Sequence, residues 1–215
     1  MGFLRGEIRL TQPNRNASGT VLLIHGLFMG SWILSFIASH LKREGYRCYG
    51  YDYPTRIRRM DHHGKELADR LLLWPEKRFD VVTHSMGGLI LRKALSRAQE
   101  RIGRIVMIAP PNQGSDLARF WREKFPVAER LVVPLFDLSS ESGSPVYELP
   151  NLPGELEFGV LAAENDHAVS EERTHLAGER EHRILPGRHT SILFRKRTAE
   201  TVGHFLRHGN FGIPG

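Results

Sequence analysis

The sequence predicts an α/β protein: a mostly parallel sheet of about six or seven strands with helices on both faces. Three observations predict it. Short apolar, β-branched runs alternate with helical patterns of 10–15 residues along the 215-residue chain, as parallel strands joined by crossover helices require. Several of the runs are apolar at every position, as strands buried on both faces should be. Residues able to carry chemistry fall at or just after the predicted strand ends: His25, Ser85, Pro110, Asp166 and His189. Open parallel sheets bind ligands beyond those carboxyl ends.

The elements follow in order. "GTVLLIHG" (19–26) reads as a strand ending in His-Gly, and "SWILSFIASHLKREG" (31–45) as a helix stopped by glycine. "YRCYGYDY" (46–53) is a strand. "GKELADRLLLWPEKR" (64–78) is a helix broken or bent near Pro75. "FDVVTHS" is a strand that runs into the helix "MGGLILRKALSRAQE". "GRIVMIAPP" (103–111) is the next strand. Residues 111–154 read as an insertion of one or two helices and a loop. Further strands lie within "ELEFGVLAAEND" (155–166) and "EHRILPGRH" (181–189), and "TSILFRKRTAETVGHFLRHG" (190–209) closes the chain as a helix.

Composition bounds the function. With 40% hydrophobic and 25% charged residues, the chain can bury one real core, and its length suits a single domain, 1–215. No apolar run reaches the ~18 residues of a membrane span. The opening "MGFLRGEIRL" carries Arg5, Glu7 and Arg9 and so lacks the apolar core of a secretory signal. Cys48 stands alone, which forbids an intrachain disulfide. A cytoplasmic location is therefore expected. Asn16, in "NAS", is then a chance match to a glycosylation acceptor. The net charge is +6. Its basic residues are scattered, the densest cluster being Arg56, Arg58 and Arg59, with no aromatic interleaving. No nucleic-acid partner is expected; the charge is compatible with weak association with anionic membrane surfaces.

Ser85 stands on a sharp strand–turn–helix. Such a turn strains the serine backbone, exposes its hydroxyl above the sheet and aims the first amides of the next helix at the reaction centre. It needs small neighbours, which Gly87 and Gly88 supply. A serine needs a base to become a nucleophile, and histidine has the suitable pKa. Of the 11 histidines, His84 adjoins the serine but is expected on the other side of the strand. His62 and His63 lie in a polar loop without further ligands at a metal-like spacing, and His204 and His208 lie deep in the last helix.

"THSMGG" and "LLIHGLFMGSW", 60 residues apart from His25 to Ser85, resemble the G-x-S-x-G elbow and His-Gly oxyanion loop of the α/β-hydrolase family. The resemblance covers about residues 19–208 and, by its compactness, is to the small bacterial lipases and esterases with a minimal cap. It implies Ser85 as nucleophile, His189 in "PGRHTSIL" as base, and Asp166 in "LAAENDHAVS" as the acid, with Glu164 the near competitor and Asp137 and Asp116 further off. It implies oxyanion donors at the amides of Met86 and Leu27, with Phe28 the alternative to Leu27. No metal or organic cofactor is implied. One position departs from the pattern: Thr83 stands where the elbow usually has glycine.

Leu27, Phe28, Met29 and Trp32 should crowd the site, with Phe28 and Trp32 as substrate-binding residues. The insertion brings Phe120, Trp121, Phe125, Val132 and Val133 as an amphipathic, lid-like segment. Apolar walls favour hydrophobic acyl esters. The function expected is ester hydrolysis through an acyl-enzyme. The alternatives are acyl transfer or thioester hydrolysis on the same residues, or a catalytically silent protein that binds a hydrophobic ligand, for which Thr83 speaks.

Overall fold

A computed structural model describes residues 6–14, 16–125 and 132–212. Residues 1–5, with Arg5, and the middle of the insertion at 126–131 lie outside the described residues. The strands are β1 (Glu7–Gln12), β2 (Gly19–Ile24), β3 (Tyr46–Asp52), β4 (Phe79–His84), β5 (Ile102–Ile108), β6 (Phe158–Ala163) and β7 (Glu181–Leu185). They form one sheet in the order β1-β3-β2-β4-β5-β6-β7. Only β1 runs antiparallel, against β3.

The helices are α1 (Ser35–Arg43), α2 (Met60–Leu73), α3 (Met86–Ala98), α4 (Asp116–Lys124), α5 (Leu135–Leu138) and α6 (Lys196–His208). Because successive strand residues point to opposite faces, each central strand feeds two cores. Leu22 and Ile24 pack with Val81, Ile105 and Met107 under α2 and α3. Val21 and Leu23 pack with Val82, Val106 and Ile108 under α1 and α6.

The chain leaves β2 toward β3 on one side, while β4 lies on the other. Beside that switch point, ligands find a crevice. Backbone strain collects there. The three non-glycine residues with positive φ among the described residues are Phe28 (61°), Ser85 (51°) and Ala109 (48°). They follow the carboxyl ends of β2, β4 and β5. A left-handed backbone costs a residue with a Cβ free energy and persists only where its surroundings fix it.

The structure revises several boundaries. Strand β1 is an added element; its mixed "EIRLTQ" has a largely exposed edge and gives little pattern. Helix α2 starts at Met60, before the expected Gly64, because the buried Asp137 carboxylate accepts the Met60 N–H at 2.7 Å. It stops at Leu73, with Trp74 already extended (ψ 134°), so Pro75 lies past the helix and does not bend it. Residues 31–34 form a 3₁₀ turn before α1. The last segment divides into a 3₁₀ turn at 191–194, an extended Arg195 and then α6, which Gly209 ends at φ 75°. Between β5 and β6 lie α4, α5 and a 3₁₀ turn at 145–148. This stretch is tied down by buried Arg92 of α3, which donates to the carbonyls of Asn112, Leu149 and Pro150.

Candidate active site

Strand β4 ends at His84, and Ser85 turns the chain (φ 51°, ψ −129°) directly into α3. The Ser85 N–H still bonds to the Ile108 carbonyl at 2.9 Å, so the turn remains stitched to β5. Gly87 is required by contact. A Cβ there would stand 2.5 Å from the Ile24 carbonyl oxygen and 2.7 Å from that of His25. Gly88 makes room for Thr83: a Cβ on Gly88 would meet Thr83 Oγ1 at 3.3 Å. The larger residue at the first elbow position is thus accommodated under α3, fully buried, with a hydroxyl that has no partner among the described residues.

His189, in the loop after β7, accepts from the Ser85 hydroxyl at its Nε2, 2.9 Å away. Its Nδ1–H donates to Asp166 Oδ2 at 2.7 Å. The other carboxylate oxygen of Asp166 accepts from the amides of Ala168 and Val169 at 2.8 and 3.0 Å. Burial works to raise the Asp166 carboxyl. The hydrogen bond and charge of His189, with the two amides, outweigh it and hold the group below its usual value. An ionised Asp166 fixes the His189 tautomer that leaves Nε2 free to take a proton. The competing carboxylates are elsewhere. Glu164 is exposed and touches Asn165, Asp116 binds Ser140 and Arg173, and Asp137 caps α2.

His84 adds to the sequence reading. From the other side of the strand it still serves the site: its Nε2–H donates to the His189 carbonyl at 2.9 Å, with the two rings 5.0 Å apart. The His189 loop reaches around the end of β4, so a residue on the opposite face from Ser85 still holds the histidine backbone. Sequence signals this only as a buried polar residue next to the serine.

The loop after β2 is built as a platform. His25 is fully buried, stacks on Tyr53 (4.4 Å) and bonds through Nδ1 to the Gly26 carbonyl. Tyr53 donates to the His25 carbonyl at 2.7 Å. Asp52 holds the loop's far side through the amide and hydroxyl of Ser31. Gly26 faces the serine; a Cβ there would lie 2.8 Å from that of Ser85. The Phe28 amide is already engaged by Thr55 Oγ1 at 3.1 Å.

A cavity of about 250 Å³ opens on Ser85 and His189. Leu27, Phe28 and Met29 form one wall; Leu117, Trp121 and Leu138 form much of the other. Trp32 does not reach it. Its side chain stands on the outer surface, 67% exposed, because the 3₁₀ turn at 31–34 points it outward. Phe120 on α4 and Phe125 just past its end are also exposed, away from the lining. The α4 contribution was legible in principle: Leu117 and Trp121 are four apart and share a helix face.

Three buried histidines surround this site and its flank. Burial, with the nearby His189 charge, pushes His84 down to about 3. Burial pushes His63 down to about 4, and lowers His25 as well. With their values lowered in the fold, all three bind protons more readily once unfolded, at pH below the ordinary value of about 6.5. The unfolded chain then binds more protons, so stability falls as pH drops from about 6.5 toward 4. Each of His63 and His84 should cost about 2 kcal/mol at pH 5. Urea unfolding at pH 7.5 and pH 5 measures this; equal midpoints would refute it.

Comparison with known proteins adds the following. A family model described as alpha/beta hydrolase fold matches residues 19–136. No curated protein matches the sequence significantly. Among solved structures, the chain is similar to a mature lipase of Bacillus licheniformis (TM-score 0.69, 17% identity, covering 95% of this chain and 98% of that one). It is similar to a carboxylesterase of the thaumarchaeon Nitrososphaera gargenis (TM-score 0.66, 15% identity, covering 95% of this chain and 94% of that one). It is also similar to a thioesterase domain from the curacin biosynthetic pathway (TM-score 0.60, 13% identity, covering 94% and 99%). At these identities the likeness is one of fold.

Proposed function

The chain belongs to the α/β-hydrolase fold family, and from that premise we propose that it is a serine hydrolase of carboxylic esters, esterase- or lipase-like. One observation carries the reading: the continuous hydrogen-bonded chain from Ser85 Oγ through His189 to Asp166, with Ser85 strained at the mouth of an apolar cavity.

In this mechanism Ser85 Oγ attacks the acyl carbonyl while His189 Nε2 takes its proton. Asp166 stabilises the imidazolium that forms. The oxyanion is held by two backbone amides. Met86 is the first residue of α3, where an N–H has no intrahelical acceptor. Leu27 is favoured for the second, because Thr55 already occupies the Phe28 amide. His189 returns its proton to the leaving alcohol, an acyl-Ser85 ester remains, and water activated by the same base releases the acid. The segment 111–154 is a small lid-like insertion, with α4 and α5 as the outer wall of the acyl site.

A volume of about 250 Å³ holds roughly eight water-sized units, which suits a short to medium acyl chain. Labelling with a fluorophosphonate probe, followed by peptide mapping, should mark Ser85. p-Nitrophenyl butyrate and octanoate should be cleaved with higher kcat/KM than the palmitate. A well-folded protein that takes no label would sink the reading in favour of a silent binder. Preferential transfer to an added thiol or alcohol over water would move it to acyl transfer.

A further inference from the structure

Outside this site, Glu171, His175 and His182 each offer one ligand atom, all within 4.8 Å of one another. Glu171 lies in the 3₁₀ turn Glu171–Thr174, His175 follows it, and His182 lies on the edge strand β7. The two imidazoles stack with centroids 3.8 Å apart.

Their hydrogen bonds fix their tautomers. Thr174 Oγ1 lies 2.5 Å from the Glu171 carbonyl oxygen and must donate its only proton there. It can therefore only accept from His182 Nε2–H, 2.8 Å away. That leaves His182 Nδ1 with a free lone pair. His175 donates Nδ1–H to Glu179 Oε1 at 2.5 Å, which leaves its Nε2 free. Glu179 is itself oriented by the Leu176 amide through its other oxygen, at 3.2 Å. An imidazole whose second nitrogen donates to an oriented carboxylate or hydroxyl is the usual outer support of a metal-binding histidine.

We propose that Glu171, His175 and His182 form a binding site for a late first-row divalent cation of the zinc type. Two neutral imidazoles and one carboxylate exclude a calcium- or magnesium-type site, which needs oxygen donors. Tetrahedral zinc, with Zn–N of about 2.0–2.1 Å, wants donors about 3.4 Å apart, so the group closes on the ion, and exposed Glu171 has the freedom to move. The cation braces a junction. The turn follows Val169, whose amide holds Asp166, and its Arg173 reaches Asp116 at the start of α4 (2.8 Å) and the Gln113 carbonyl (3.0 Å).

The test is calorimetric titration of the EDTA-treated, full-length protein with zinc chloride, together with its thermal unfolding. One zinc per chain should bind, and the Tm should rise reversibly. Glu171→Gln and His175→Ala should each weaken binding at least about tenfold, while Ser85→Ala should leave it unchanged. Glu171 is exposed, so its variant keeps the fold. Absence of stoichiometric binding to folded protein overturns the proposal. So do affinities unchanged in both ligand variants, loss of binding in Ser85→Ala, or an equal Tm rise with calcium.

Discussion

Ser85→Ala is expected to lower ester hydrolysis by about 10⁴- to 10⁶-fold in kcat, the range found when a serine nucleophile is removed from a base-activated set. The fold should survive. Alanine at φ 51° is no more strained than serine, and the turn is held by the backbone bond from residue 85 to Ile108. The substitution removes one hydrogen bond, Ser85 Oγ to His189 Nε2, worth about 1 kcal/mol. His189 keeps its bonds to Asp166 and, through its carbonyl, to His84. Activity and stability should therefore separate: turnover disappears while the Tm moves by only a few degrees. Circular dichroism melts beside p-nitrophenyl ester assays give both quantities on one sample. Hydrolysis that persists in folded Ser85→Ala protein would remove Ser85 from the mechanism.

The legible part of this molecule is the part written in local pattern and residue type. The apolar runs 79–84 and 102–108 announce central strands, and a serine, an acid and a histidine at three strand ends announce chemistry. What escaped is written in contacts between distant residues. The start of α2 depends on Asp137, 77 positions away, which caps Met60. The half-polar edge strand β1 is defined by pairing with β3. His84 supports His189 only because the chain returns 105 residues later. Trp32 reads as an apolar neighbour of the site, yet a 3₁₀ turn swings it outward. The cavity's outer wall was legible only in part: Trp121 of the insertion lines it as expected, while Leu117 and Leu138 carry no reactive group to mark them. The cation site was hidden for the same reason, since tautomers are set by partners such as Thr174 and Glu179.

Gly87→Ala should damage stability and turnover together, and the reason lies in what its methyl group would strike. Helix propensity favours alanine over glycine by about 1 kcal/mol in a helix interior, so a residue of α3 with free space would gain. Here the Cβ would stand 2.5 and 2.7 Å from the carbonyl oxygens of Ile24 and His25. These are backbone atoms at the end of a fully buried strand, with no rotamer to relieve the contact. Overpacking of this kind costs about 1–3 kcal/mol or more, which cancels or exceeds the propensity gain. Relief requires α3 to lift from the sheet or the His25-Gly26 loop to move. Either motion changes the distance between Ser85 and the Leu27 amide, and a displacement of about 1 Å can cost 10²-fold in rate. Gly88→Ala is the control. Its Cβ would meet side-chain atoms, Pro110 Cβ at 3.2 Å and Thr83 Oγ1 at 3.3 Å, which can yield by a few tenths of an ångström. Its losses should be smaller in both Tm and kcat. If Gly87→Ala matches the parent in both while Gly88→Ala does not, the elbow is not held by the approach of α3 to β2, and the strain at Ser85 needs another source.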